Sequence, residues 1–328
     1  MDSLSVALPV FFASAVVVVL AGVGLAYFGD EIAERTGWGA LWVGTILVSV
    51  ATSLPELITN LSAVIIDAPD IALGNVFGAN AINMFTLAAI AAVFGVGRLF
   101  REQPTQTLVL ALAAVVLALV TLGVTVTGDV ALGPSSVGGL IIAASYVGAM
   151  RVVYSARAKV SKDPDALPDI AGTATRAWIG FGVASLAIIV TAPLLASSAD
   201  GIASASGLSA SFVGVLLVSI VTTLPEATVS VTAMLRNSPG LVMGNIFGSC
   251  AFNLFVIPIA DLANGEPLLA SAGPEHYLAL AAAAALMAAG LVAMVAAARK
   301  RLVVSKALVP VMLVGYLATI YGVFVLAG

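Results

Sequence analysis

Apolar stretches of about 20 residues recur along the whole of this 328-residue sequence, and each is long enough to cross the hydrocarbon core of a bilayer. Nothing else constrains the fold as strongly. Lipid offers backbone N–H and C=O groups no partners, so such segments must close their hydrogen bonds internally, as helices or as a sealed barrel. The short alternating strands of a transmembrane barrel are missing from the pattern. Composition agrees: 61% of residues are apolar and 9% charged, with a mean hydropathy of +1.14, whereas a soluble domain carries about 25% charged residues.

The expected fold is all-α, a polytopic membrane protein with about ten transmembrane helices. The spans read as 6–28, 39–66, 71–96, 105–127, 134–154, 176–197, 208–235, 239–262, 274–298 and 306–327. The first follows Met-Asp-Ser-Leu-Ser with no positive stretch before it, so it reads as a span and not as a signal peptide. All 13 Lys and Arg residues, from Arg35 to Lys306, fall in or beside the loops after spans 1, 3, 5, 7 and 9. The other loops and both termini hold none. The positive-inside rule places the basic side in the cytoplasm and both termini outside the cell membrane.

Tyr27, Trp38, Trp42, Tyr154, Trp178 and Tyr277 lie near span ends, as interface anchors do. Asp67, Asp70, Asp129, Asp200, Asp261, Glu266 and Glu275 fall in or near the outer loops. The single cysteine, Cys250, reads as a small packing residue, and the single histidine, His276, as a solvated residue at the start of a span. Arg151 to Arg176, with Pro164 and Pro168, reads as a flexible cytoplasmic linker too short for a domain.

Residues 43–87 align without a gap on residues 213–257, at an offset of 170, with 18 identities in 45 positions. The telling matches are Thr52/Thr222, Pro55/Pro225, Glu56/Glu226, Gly74/Gly244, Asn75/Asn245, Gly78/Gly248 and Asn83/Asn253. The copies occupy spans 2–3 and 7–8, an odd number of spans apart, so the second must insert upside down relative to the first. Residues 1–154 then form one five-helix repeat, 155–175 the linker, and 176–328 a second, inverted five-helix repeat. Secondary transporters are often built this way, with the binding site near the midplane between repeats.

Of 17 acidic residues, Glu56 and Glu226 alone lie mid-span, at matching depths and with no Lys or Arg near them. An ionisable residue there is expensive and usually functional; it must be protonated or hold a cation. Thr52 and Ser53 precede Glu56 on one helix face, and Thr222 and Thr223 precede Glu226. Pro55 and Pro225 break each helix beside the carboxylate, which frees carbonyls one turn earlier, near Ala51 and Val221 or Ser49 and Ser219. Asn83, Asn253 and Ser249 can add oxygens from the partner helices; Ala79 stands where Ser249 has its counterpart. Hydroxyl, carboxylate, carbonyl and amide oxygens form a set for hard cations. The lack of thiol and imidazole argues against zinc, copper or iron.

TSLPE at 52–56 and TTLPE at 222–226, with GNVFGANAIN at 74–83 and GNIFGSCAFN at 244–253, resemble the α-repeats of the Ca²⁺/cation antiporter superfamily, nearest its sodium/calcium exchanger branch. The resemblance implies alternating access around one central site, with Na⁺ influx driving Ca²⁺ export. Glu56 and Glu226 would be the main Ca²⁺ ligands. Thr52, Ser53, Thr222 and Thr223 would add oxygens for Na⁺ and Ca²⁺, and Ser249, Asn83 and Asn253 would complete the site. Ala79 and Thr223 replace serines of the family pattern, Ala51 and Val221 replace its first glycine, and Asn253 stands where some relatives carry aspartate. An H⁺-coupled carrier on the same scaffold is the alternative; a cation channel and an intramembrane hydrolase fit less well, the latter because no catalytic pair or HExxH is present. No cofactor, nucleic acid or obligate protein partner is expected beyond the lipid bilayer and the transported Ca²⁺ and Na⁺.

Overall fold

The computed structural model describes residues 4–65, 67–100, 103, 105–156, 171–204, 216 and 218–327. Its long helices are α1 (Leu4–Thr36), α2 (Ala40–Ile65), α3 (Pro69–Phe94), α4 (Thr105–Thr127), α5 (Val137–Ser155), α6 (Ala171–Ser204), α7 (residues 219–235), α8 (Pro239–Asn264), α9 (Pro274–Ala298) and α10 (Leu302–Ala327). Among the described residues, eight of them, α1–α5 and α8–α10, are long and apolar enough to cross a membrane. The chain is a nearly all-helical, multi-pass membrane protein.

α4 and α9 have the bounds expected from sequence. α1 runs eight residues past the expected end at Phe28, because its extra charges are paired: Glu31 with Arg35 one turn on, and Asp30 with Arg236 of the segment after α7 at 3.1 Å. α6 begins at Ala171 and not at 176. The linker residues 157–170, with Arg157, Lys159, Lys162, Pro164 and Pro168, lie outside the described residues, as do Arg101 and most of the expected start of span 7, at 208–215. α5 starts at Val137, three residues late, because a two-residue strand pair precedes it. β1 (Ala131–Leu132) runs antiparallel to β2 (Ser135–Ser136), Gly133 takes a positive φ in the turn, and the Ser136 hydroxyl caps α5 by accepting from Gly139 N–H at 2.7 Å.

The two motif-bearing hairpins turn in the same way. Asp67 and Asn237, 170 positions apart, both take left-handed backbone with φ 59° and 61°, a conformation that Asp and Asn tolerate best among residues with a side chain. Ala68 N–H bonds Ala63 O and Ser238 N–H bonds Ala233 O, at 2.8 and 2.9 Å, closing the ends of α2 and α7. Pro69 and Pro239 then open α3 and α8, where a missing N–H costs nothing.

α3 and α8 form the centre. They are the most buried of the eight long apolar helices, 72% and 78%, against 28% for α1 and α10 and 22% for α5 at the periphery. α8 packs on α2, α3, α4, α5 and α7, while α9 and α10 cover α3, and α1 packs along α6 and α7. The α2–α8 contact is backbone on backbone. A Cβ on Gly244 would sit 2.3 Å from Leu41 O, one on Gly44 would sit 2.8 Å from Leu241 O, and one on Gly248 would sit 2.8 Å from Ser49 Oγ, so small residues set this interface.

Two sequence readings are corrected. His276 is fully buried, not solvated: Nδ1 accepts from Gly273 N–H at 3.1 Å and Nε2 donates to Asp70 O at 3.2 Å. With both ring nitrogens satisfied, the imidazole ties the start of α9 to the start of α3. Asp261 is likewise fully buried, in the last turn of α8. It accepts from the Ser136 hydroxyl at 2.6 Å and from Leu268 N–H at 2.8 Å, stapling the strand pair and the 268–271 turn to α8.

Candidate functional site

α2 and α7 break at equivalent points. Ser53 (φ −90°, ψ 5°) and Thr223 (φ −84°, ψ 3°) leave helical geometry, and the helices resume at Leu54 and Leu224 with the prolines in their first turns. A wide π turn precedes the break in α2, at Gly44–Val48, and the described residues 216 and 218 ahead of α7 have the same geometry, a feature frequent beside functional sites. The Pro55 and Pro225 nitrogens carry no hydrogen, so the carbonyls of Ala51 and Val221 lose their usual donor. Ser49 and Ser219 differ from expectation: their carbonyls stay bonded to Ser53 N–H and Thr223 N–H at 2.9 and 3.1 Å, and the Ser49 hydroxyl donates back to Thr45 O.

All the residues singled out from sequence are buried, with no side chain more than 2% exposed: Glu56, Glu226, Thr52, Ser53, Thr222, Thr223, Ser49 and Ser219 at the breaks, and Asn83, Asn253 and Ser249 on α3 and α8. Their bonds cross between copies. The Thr52 hydroxyl donates to Asn245 Oδ1 at 3.2 Å, and the Thr222 hydroxyl donates to Asn75 Oδ1 at 3.1 Å. Ser53 donates to Glu226 Oε1 at 3.0 Å, as does Ser249 at 3.3 Å. At the break the Ser53 hydroxyl bonds the carboxylate of the other copy and not Glu56. Glu56 and Glu226 lie close enough to repel each other.

Asn75 and Asn245 were missing from the ligand set read in the sequence. Their amides hold the second halves of the broken helices: Asn75 donates to Asn60 Oδ1 at 3.2 Å, and Asn245 donates to Glu226 O and Ser230 Oγ at 3.1 and 3.0 Å. Asn60 and Ser230 are again 170 positions apart. The signal was present, since Asn75/Asn245 is one of the few polar identities between the copies. Asn80 joins the α3–α8 seam, donating to Cys250 O and accepting from Asn253 Nδ2.

The carboxylates are not equivalent. Glu226 Oε1 has two hydroxyl donors. Both oxygens of Glu56, Glu226 Oε2, Asn253 Oδ1 and both amide atoms of Asn83 are buried without a hydrogen-bond partner among the described residues. The Thr222 hydroxyl lies beside Glu56, and two substitutions explain why the counterparts of the Glu226 donors do not reach it. Ala79 has no hydroxyl where Ser249 has one, and Thr223 turns its hydroxyl to Ser219 O at 2.6 Å where Ser53 reaches a carboxylate. Buried oxygens left unpaired are costly, and a cation is the partner that suits several at once. Among the described residues no third His, Cys, Asp or Glu joins them, so the set is two carboxylates plus neutral oxygens, as hard cations prefer.

Residues 6–155 and 176–327, the two halves that carry these breaks, match the sodium/calcium exchanger protein family. The chain belongs to that family. The sodium/calcium exchanger family is one of transporters, not enzymes, and this member is a cation antiporter. The inner membrane protein YrbG of Escherichia coli strain K12 is 28% identical over 244 residues, 70% of this chain and 71% of that one. The sodium/calcium exchanger MaX1 of Methanosarcina acetivorans is 36% identical over a shorter stretch of 73 residues, 21% of each chain. In fold, the chain matches the solved sodium-calcium exchanger NCX_Mj with a TM-score of 0.72 at 20% identity, over 96% of this chain and 98% of that one.

Proposed function

We propose that this exchanger-family chain moves Ca²⁺ against Na⁺ across the cell membrane, by alternating access to a midplane site between Glu56 and Glu226. One observation carries the reading. Two buried carboxylates from a duplicated motif converge, three of their four oxygens lack a hydrogen-bond partner among the described residues, and the groups around them are neutral oxygens. Glu56 and Glu226 bind Ca²⁺ directly. Thr52, Ser53, Thr222, Thr223, Ser249, Asn83, Asn253 and the carbonyls at the breaks supply the remaining oxygens for Ca²⁺ and Na⁺. α6 and α7 complete ten spans in two inverted repeats, with both termini outside. The reciprocal Thr52–Asn245 and Thr222–Asn75 bonds support that symmetry.

The test is uptake of radiolabelled Ca²⁺ into Na⁺-loaded proteoliposomes. Uptake that needs the outward Na⁺ gradient and vanishes in Glu226→Gln supports Na⁺/Ca²⁺ exchange. Uptake that follows only a pH gradient makes the chain an H⁺-coupled carrier. No Ca²⁺ flux under any gradient removes Ca²⁺ as the substrate.

A further inference from the structure

We infer that Arg236, held by Asp30 and Tyr27, is a positioning residue that favours closure on the cytoplasmic side and makes the two access states of this antiporter unequal. The inference needs antiport by alternating access, whichever cations are exchanged; the flux measured below rests on the Ca²⁺ and Na⁺ proposed above.

α1 covers the break in α7. A Cβ on Gly22 would sit 3.0 Å from Thr228 Cβ and 3.4 Å from Pro225 O, so α1 lies against backbone one residue from Glu226. Toward the start of α1, Val18 packs with Val221, Phe11, Ala15 and Leu224 in a small apolar cluster separate from the main core. Access to Glu226 along this face requires α1 and α7 to part.

Charge holds the far end of the same contact. Asp30 is buried on α1. Its Oδ2 accepts from Arg236 Nε at 3.1 Å and lies 3.1 Å from Nη2. The Arg236 guanidinium also lies 4.6 Å from the centre of the Tyr27 ring, in cation–π range. Arg236 has a firm mount. Arg98 donates to Met234 O at 3.2 Å and to Asn237 Oδ1 at 3.3 Å, which ties the chain on both sides of Arg236 to the segment after α3. The ion pair therefore joins α1 to a part of α7 that another element holds in place.

The repeat has no second copy of this hold. The offset of 170 continues from the motifs into α1 and α6: Leu25/Leu195, Ala26/Ala196, Asp30/Asp200, Ile32/Ile202, Ala33/Ala203 and Gly37/Gly207 are identical. The aspartate is duplicated, but the equivalents of Arg236 and Tyr27 are Ile66 and Ser197, and that of Arg98 is Leu268. None of the three carries a charge or a ring. In the inverted arrangement proposed above, equivalent positions lie at opposite membrane faces, so the cationic hold belongs to the cytoplasmic face alone. Contacts present in one access state and absent from the other shift the population toward the first.

The experiment measures the half-saturating Ca²⁺ concentration for Na⁺-driven flux from each face, in right-side-out and inside-out membrane vesicles carrying the full chain. An access state that is seldom populated weakens apparent affinity by its population. Arg236→Gln should therefore lower the cytoplasmic value roughly two- to fivefold relative to the outer one, the effect of one exposed ion pair and one cation–π contact. Arg236→Lys should change the ratio less. Asp30→Arg combined with Arg236→Asp should return it toward that of the parent, which a merely structural lesion would not do. Hydrogen exchange of the purified chain needs no substrate: amides at 27–36 should exchange faster in Arg236→Gln and slow again in the charge-swapped protein, with 11–20 unchanged. An unaltered ratio in Arg236→Gln, or an equal change at both faces, overturns the inference while leaving Na⁺/Ca²⁺ exchange intact. Absence of Ca²⁺ flux from either face overturns the exchange reading, and hydrogen exchange then decides alone, with unchanged protection at 27–36 overturning the inference as well.

Discussion

Gly244→Ala tests whether backbone contact between α2 and α8 holds the site together. The added Cβ would meet Leu41 O at 2.3 Å, Thr45 N at 2.9 Å and Gly44 C at 3.0 Å. All three are backbone atoms, so no side chain can swing aside. A carbon tolerates a carbonyl oxygen at about 3.3 Å, so the helices must separate by roughly 1 Å. Overpacking of this kind typically costs about 1–3 kcal/mol. The shift falls one residue from Asn245, whose amide oxygen holds Thr52 at 3.2 Å, and a further 1 Å ends that bond. Gly244→Ala should therefore lower the melting temperature in detergent by several degrees and reduce Ca²⁺ uptake by more than the stability loss accounts for. Gly123→Ala and Gly182→Ala, where an added Cβ meets nothing within 4 Å, are the controls and should melt no lower than the parent. A Gly244→Ala protein with unchanged melting and uptake would refute the close-contact argument.

Four further outcomes are expected. Glu56→Gln and Glu226→Gln should each abolish cation exchange while the purified protein stays folded by circular dichroism; normal flux in either displaces the site. Ser249→Ala removes a donor 3.3 Å from Glu226 Oε1 and should weaken Ca²⁺ binding by roughly tenfold in a calorimetric titration, whereas Ala79→Ser should not weaken it. Asp261→Ala strands the Ser136 hydroxyl and Leu268 N–H, at roughly 1–3 kcal/mol for each group left unpaired, read as a lower melting temperature. Arg236→Gln breaks a 3.1 Å pair with Asp30 whose arginine is 34% exposed, so the loss should be small, about 0.5 kcal/mol, and smaller still in high salt.

Most of the architecture was legible because membranes allow few solutions. Helix length and the distribution of Arg and Lys locate spans directly, and α4 and α9 match to the residue. The buried polar positions of the two motifs were legible because the motif occurs twice. The partners were less so. A helical wheel puts Thr52, Ser53 and Glu56 on one face, but the Ser53 break sends its hydroxyl to Glu226, 173 residues away, and spacing carries no information about a contact of that kind. Asp261 and His276 were assigned to solvent because they lie near span ends. Tertiary partners that sequence does not reveal, Ser136, Leu268, Gly273 and Asp70, satisfy them inside the protein instead.

The crossed Thr52–Asn245 and Thr222–Asn75 bonds also bear on how the protein is made. The partners of Thr52 and Ser53 are encoded far downstream, at Asn245, Ser249 and Glu226. At a synthesis rate of about 5–20 residues per second, the 170-residue offset between the copies keeps the nascent first half waiting roughly 10–35 s. Throughout that interval its hydroxyls and Glu56 lie in the bilayer beside a seam that nothing yet fills. Ribosome pausing between the copies would prolong this exposure, and a chain terminated after the linker would never leave it, which makes such a fragment a natural target for membrane quality-control proteases.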